Sequence, residues 1–321
     1  MTTPHPPGLS ILAMGGHSLL APNLPPTVEN QFDVTRHAVI PIADLIERQI
    51  PLVITHGNGP QVGFMQLRAA LARRHIHEVP LDSLVADTQG AIGYMIQLAL
   101  RNELLHRGVD RPLGTVVTEV EVDAQDPAME NPEKPVGVAY TPEEAEEQRQ
   151  RYGWVMRHDA QRGWRRVVPS PKPLRIVQLP LVASLVELGV TVIACGGGGI
   201  PVTRDADGMH HGIEAVIDKD RTSALLGISL GAERLIITTA VDRVYVDYGK
   251  PNARALDHVG IDELMGFAAA GQFPAGSMGP KIEAAATFLR GGGRSVIICH
   301  PDDLAAALDG RAGTTITSAP A

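Results

Sequence analysis

Val192-Ile193-Ala194-Cys195 runs straight into four glycines, Gly196 to Gly199, and Ala215-Val216-Ile217 runs as abruptly into Asp218-Lys219-Asp220-Arg221. A short apolar run that stops at glycine or at charge is the pattern of a strand buried on both faces. It recurs at the start of the chain, where Leu9 to Met14 meets Gly15-Gly16-His17-Ser18. It recurs again where Leu52-Val53-Ile54-Thr55 meets His56-Gly57-Asn58-Gly59-Pro60. Further strands are predicted at Thr115–Val122, Thr191–Ala194, Ile213–Ile217, Leu235–Thr238 and Ser295–Cys299, with an edge strand at Thr314–Thr317.

Stretches of helical spacing separate them. Residues 29–49 place Val39, Ile42, Leu45 and Ile46 on one side, and Pro41 should kink or split that helix. Helices follow at about 61–74, at 82–106 with Asp82 or Ser83 as its cap, and at 179–188. Gly90 and Gly93 within the second of these read as sites of close packing. Later helices are expected at 221–229, 261–270 and 280–290, and one begins at Pro301-Asp302. Strand–helix alternation of this kind predicts one mostly parallel sheet with helices on both faces.

Residues 123–173 break the rhythm. Prolines recur, both tryptophans fall here, and Thr141-Pro142-Glu143-Glu144 is a capping box opening a helix that should stop at Gly153. The acidic run within it reads as a solvated helix face. An excursion of this length is a lid or a small subdomain rather than a loop.

Composition narrows the function. With 44% apolar but only 4% aromatic residues, Ala, Val, Leu and Ile must fill the core of this 321-residue chain. The formal net charge of −8 argues against nucleic acid or an acidic membrane as partner. An anionic substrate would therefore need a local cluster of cations. Cys195 and Cys299 both end apolar runs and read as buried reduced thiols. Residues 1–7 have neither a basic nor an apolar region and read as a flexible leader, no run approaches a membrane span, and the expected location is cytoplasmic.

Three glycine turns at the carboxyl ends of strands would line the edge where open α/β sheets bind ligands, and their bare N–H groups can hold an anion. None fits the Lys-Ser or Lys-Thr spacing of a Walker loop. Lys219, flanked by Asp218 and Asp220, can be a surface ion cluster, or it can sit on a transferring phosphoryl group with Asp220 setting its orientation. Lys281 follows Pro280 in Gly276-Ser277-Met278-Gly279-Pro280-Lys281 and falls in a first helical turn. There a lysine opposes the helix dipole and does nothing for the helix itself. His17 can be an exposed turn residue or can donate to a substrate oxygen. His56 reads as a turn-stabilising residue, and His210-His211 as a hairpin tip with no assigned role.

At these residues the chain resembles the carbamate kinases of the amino acid kinase family. The matching stretches are His56 to Gly63, Asp87-Thr88-Gln89-Gly90, Asn131-Pro132-Glu133-Lys134-Pro135, Gly163 to Pro171, Cys195 to Val202, Glu214 to Asp220, Asp247 to Pro251 and Gly276 to Ala285. The resemblance implies an open αβα sandwich with a mostly parallel central sheet and a small protruding subdomain at about 123–173. It implies an acceptor-side lobe over 1–190, a nucleotide-side lobe over 191–321, and a homodimer. The implied reaction is reversible phosphoryl transfer between ADP/ATP and carbamoyl phosphate/carbamate with Mg²⁺, in the ATP-forming direction of arginine catabolism. By the same carry-over, Lys134, Lys219 and Lys281 surround the moving group and Asp220 organises the lysines. Gly15, Gly16, His17, Gly57, Asn58 and Gly59 face the substrate. Gly198, Gly199, Asp242, Tyr245, Gly276 and Met278 face the nucleotide.

Two departures stand out. His17 occupies a position where this family usually has Asn, and Ala240 replaces the usual Gly or Asp. The first leaves open a kinase of the same fold acting on another small carboxylate or phosphonate. A ligand-binding relative without turnover is a third reading.

Overall fold

The computed structural model describes residues 6–16, 19–20, 24–77, 79–159, 163–274 and 277–318. In chain order the first part comprises β1 (Ser10–Met14), α1 (Val28–Ala38), α2 (Ile40–Glu47), β2 (Leu52–His56), α3 (Gly59–Ala72), α4 (Leu81–His106), β3 (Leu113–Thr115) and β4 (Glu119–Val122). The excursion holds α5 (Pro127–Glu130), β5 (Lys134–Tyr140), α6 (Pro142–Tyr152), β6 (Met156–Asp159) and β7 (Gly163–Val168). Then come β8 (Pro173–Ile176), α7 (Leu179–Glu187), β9 (Thr191–Ile193), β10 (Ile200–Arg204), β11 (His210–Gly212), α8 (Lys219–Ser229) and β12 (Arg234–Thr238). The chain closes with β13 (Val244–Val246), β14 (Arg254–Leu256), β15 (His258–Gly260), α9 (Ile261–Ala269), α10 (Met278–Arg290), β16 (Ser295–Cys299), α11 (Leu304–Leu308) and β17 (Thr314–Thr317).

Among the described residues eight strands form the main sheet, in the order β15-β17-β16-β12-β1-β2-β9-β3. Every neighbouring pair is parallel except β16 with β17. Alternate residues of each strand feed opposite faces. Ile11 and Ala13 of β1 join Val53, Val192 and Leu235 in a core covered by α7, α8, α9 and α10. Leu12 and Met14 join Ile54, Ile236 and Ile297 beneath α1, α2, α4 and α11. Both faces are apolar because both are covered, and the result is the expected αβα sandwich.

Several local expectations hold. The early helix splits at Val39, just before Pro41, and Thr141 with Glu144 forms the capping box of α6, which ends at a left-handed Gly153. Of the two glycines expected at close contacts in α4, Gly93 packs where a Cβ would lie 2.4 Å from Thr115, whereas Gly90 is exposed with open space around it. Cys195 and Cys299 are buried free thiols, and burial pushes both up to about 12.

Other expectations are corrected. Residues 115–122 are two strands, because the chain leaves the main sheet at Val116–Thr118 and β4 enters a second sheet of order β11-β10-β4-β8. Pro80, not Asp82 or Ser83, precedes α4, and it contributes no side-chain cap. Thr314–Thr317 is flanked on both sides, by β16 and β15, so it is not an edge. Ala215–Ile217 is not a strand. It is buried extended chain held by a bond from the Val216 N–H to the Pro169 carbonyl (2.9 Å), with no sheet ladder of its own.

The excursion contains a three-stranded antiparallel sheet, β5-β7-β6. It docks on the body through Val136 and Val168, which share an apolar cluster with Val62, Leu84, Val85 and Val216. Backbone meets backbone there, since a Cβ on Gly63 of α3 would lie 1.9 Å from the Gly137 Cα. That close approach sets the height of β5 above the sheet edge, and so the position of Lys134 at its first residue.

Candidate active site

The strand order puts the carboxyl ends of β1, β2 and β9 side by side, and a glycine turn follows each one. Gly15 is tied to β12, its N–H donating to Thr238 Oγ1 (3.0 Å), and a Cβ there would meet the Thr238 carbonyl at 2.7 Å. Gly57 leaves open the space in which the Lys219 side chain lies. A Cβ on Gly57 would stand 3.4 Å from Lys219 Cδ and 3.7 Å from the Gly16 amide nitrogen. Gly59 opens α3, whose first turn has no side-chain cap and whose second residue, Pro60, carries no N–H.

Lys219 is the first residue of α8, two residues earlier than expected, because Asp218 is the helix N-cap. Its Oδ1 accepts from the N–H groups of Asp220 (3.0 Å) and Arg221 (3.3 Å). The other Asp218 oxygen accepts from Lys134 Nζ at 2.9 Å. Asp220 takes two lysines, Lys219 on Oδ1 and Lys281 on Oδ2, the latter at 3.1 Å. Three ammonium groups from β5, α8 and α10 thus sit on two carboxylates two residues apart in the chain.

Side-chain exposure is 10% for Lys219, 14% for Lys281 and 3% for Asp220, so these charges interact with little screening by water. Burial alone would raise both carboxyls. The Lys134 charge beside Asp218, and the Lys219 and Lys281 charges beside Asp220, outweigh it and hold both well below the usual carboxylate range. Burial pulls the Lys219 ammonium down against the pull of Asp220, whereas for Lys281 the Asp220 charge overcomes burial and raises it. Three positive charges against two negative leave the cluster net positive, at the positive end of α8.

His17 and Gly276 lie outside the described residues. The Asn58 side chain turns inward, donating through Nδ2 to Thr88 Oγ1 (2.9 Å), so its backbone and not its amide faces the cleft. Asp242 and Tyr245 share a hydrogen bond of 2.9 Å beyond β12. Met278 opens α10 one turn before Lys281. Gly198 and Gly199 are packed beneath α8, against the Ile217 carbonyl and Val120, three strand spacings or about 14 Å from the end of β12. Packing alone requires glycine at both. Asp218 is the member of this charge cluster that the sequence left without a role of its own. An aspartate immediately before a helix start was its available signal.

Known proteins share this sequence and fold. Residues 9–300 match the amino acid kinase family. The chain is 44% identical to the carbamate kinase-like protein YahI of Escherichia coli (strain K12) over 96% of this chain and 98% of that one. It is 44% identical to the carbamate kinase of Thermococcus kodakarensis, over 95% and 98%. Among solved structures, carbamate kinase from Giardia lamblia bound to citric acid superposes with a TM-score of 0.92 at 36% identity, covering 97% of this chain and 98% of that one. The same enzyme bound to AMP-PNP gives 0.88 at 37% identity, with the same coverage. By sequence along nearly its whole length and by fold, the chain belongs to the amino acid kinase family.

Proposed function

We propose that the protein is a carbamate kinase working in the ATP-forming direction. One observation carries the reading: Lys134, Lys219 and Lys281, from distant parts of the chain, meet on Asp218 and Asp220 beside the glycine turns at Gly16 and Gly57. Phosphoryl transfer needs in-line placement and neutralisation of the equatorial oxygens more than it needs a proton shuttle. In the reaction a β-phosphate oxygen of ADP attacks the phosphorus of carbamoyl phosphate. The bond from phosphorus to the carbamoyl oxygen breaks, and its electron pair leaves on carbamate. The three lysines exchange carboxylate oxygens for those of the PO₃ unit, while Asp218 and Asp220 keep the amines in place when no anion is present.

In this reading the N-terminal lobe, 1–190 with its subdomain at 123–173, holds the acceptor through the turns at Gly15-Gly16 and Gly57-Asn58-Gly59. The lobe 191–321 holds the nucleotide near Asp242, Tyr245 and Met278. Mg²⁺ fits as an ion carried by the nucleotide. Among the described residues no group of three His, Cys, Asp or Glu could cage it, and Mg²⁺ favours substrate phosphates, water and one or two carboxylates. Asp218, the more exposed of the two site carboxylates, would be the one to hold it, and the ion would supply charge neutralisation at the phosphates. The described helices include none long and apolar enough to cross a membrane, and a cytoplasmic location goes with the reaction. A homodimer completes the reading. Tyr94 of α4 stands 56% exposed and packs edge-on to Phe32 at 5.8 Å, an apolar face suited to a second copy.

A different acceptor, such as another small carboxylate or a phosphonate, is favoured by one feature, His17 in place of Asn. Incubation with ADP, Mg²⁺ and either carbamoyl phosphate or acetyl phosphate separates the two. ATP from carbamoyl phosphate supports the first reading. ATP from another acyl phosphate alone, or no ATP at all, defeats it.

A further inference from the structure

Asp87-Thr88-Gln89-Gly90 has no place among the residues that face the cleft, yet two of its side chains are buried where two glycine turns meet. Thr88 and Gln89 follow one another on α4, and both are almost inaccessible to water. Thr88 Oγ1 donates to the Val85 carbonyl (2.7 Å) and accepts from Asn58 Nδ2 (2.9 Å). Asn58 in turn fills the space under Gly197, where a Cβ would lie 2.3 Å from its Nδ2. Gln89 Nε2 donates to the carbonyls of Gly196 and Thr118, both at 3.0 Å, and its Oε1 accepts from the Thr118 N–H (2.8 Å). Thr118 Oγ1 accepts from the N–H of Cys195 (3.0 Å), a non-glycine residue held at φ 53°. Such a left-handed residue persists only where its surroundings hold it.

The chain of contacts ends at the lysines. Gly198 presses against the Ile217 carbonyl, leaving 2.3 Å to a hypothetical Cβ, and its own carbonyl accepts from Thr222 Oγ1 of α8 (2.8 Å). The next residue after Ile217 is Asp218, the cap of α8 and the partner of Lys134.

We infer that Thr88, Gln89 and Thr118 are positioning residues: one turn of α4 fixes the turns after β2 and β9, and through them the start of α8 with Lys219 and Asp220. The inference rests on the phosphoryl-transfer reading for its kinetic arm but not for its structural arm. Thr88→Val keeps the shape and removes the acceptor for Asn58, and Thr88→Ser restores it.

In ATP formation from ADP and carbamoyl phosphate, Thr88→Val should lower kcat at least tenfold with KM for ADP within about twofold of the unmutated protein. Thr88→Ser should recover most of that loss, which a purely steric role would not require. Amide exchange in segments 56–60 and 192–199 should accelerate about tenfold or more in the Val variant and return in the Ser variant. Gln89→Met, which removes three bonds, should accelerate 192–199 more than 56–60. Lowered thermal stability with kcat and local exchange unchanged in the folded Val variant would overturn the inference, as would equal behaviour of Val and Ser. Absence of ATP formation by the unmutated protein would defeat the assigned reaction alone, since the exchange measurement tests the clamp by itself.

Discussion

Replacing Asp220 by Asn separates the placement of the lysines from their charge. Asp220 is 3% exposed and serves two ammonium groups, with Lys281 Nζ 3.1 Å from Oδ2. At an effective dielectric constant near 20, one such contact has a gross attraction of about 5 kcal/mol, before the cost of desolvation is set against it. Asn keeps the shape and can accept from one lysine but not hold both. Both ammonium groups lose the Asp220 counter-charge, one of them also loses its hydrogen bond, and the cluster gains a net positive charge. The expected cost in stability is about 3 kcal/mol, the lower end for breaking a buried pair. The lysines should then lose the alignment they need at the transition state, lowering kcat by roughly 10²- to 10³-fold. The extra positive charge should leave KM for carbamoyl phosphate unchanged or lower. A coupled assay of ATP formation gives both constants, and denaturant unfolding gives the stability. A kcat within threefold of the original, or a raised KM at full kcat, would refute the claim that Asp220 organises the lysines.

Other perturbations follow from the same geometry. Burial, opposed by a hydrogen bond to the Gly57 carbonyl and reinforced by the Lys219 charge, pushes the His56 imidazole down from 6.5 to about 4. The unfolded chain therefore binds the extra proton first. Stability is complete above pH 6.5 and declines as pH falls to about 4, by about 3 kcal/mol, so unfolding at pH 7 and pH 5 should differ and His56→Gln should flatten the slope. Gly63→Ala places a Cβ against the Gly137 backbone, so β5 must lift and carry Lys134 from Asp218. Turnover should fall tenfold or more with little change in nucleotide affinity by titration calorimetry. His17→Asn should preserve or raise carbamoyl phosphate turnover. A loss beyond tenfold, about 1.4 kcal/mol, would give His17 a role of its own.

The sandwich was legible because β1, β2, β9, β12 and β16 are buried on both faces and stop at glycine or at a polar edge, a pattern that needs no partner to be read. The cap of α6 is local chemistry and equally readable. Residues 123–173 hid their sheet because β5 carries a register shift between Val136 and Ala139 and β7 runs Trp164-Arg165-Arg166-Val167-Val168, with no apolar–polar alternation. Extended chain at Ala215–Ile217 looks like a strand in sequence because burial on all sides gives the same apolar run as a sheet ladder. In the site, charge and glycine marked Lys219, Asp220, Lys281, Gly15 and Gly57, whereas Lys134 emerged only through resemblance. Thr88, Gln89 and Thr118 act through partners 29 to 107 residues away, which no local pattern discloses.

The convergence of Lys134, Lys219 and Lys281 on one migrating PO₃ unit is tested most directly by a crystal structure with ADP, carbamate and a planar metal-fluoride mimic of that unit. The account predicts all three Nζ atoms within hydrogen-bonding distance of the mimic, drawn from Asp218 and Asp220, with the Gly16 amide alongside. A mimic bound away from these lysines, or touched by fewer than two of them, would contradict it.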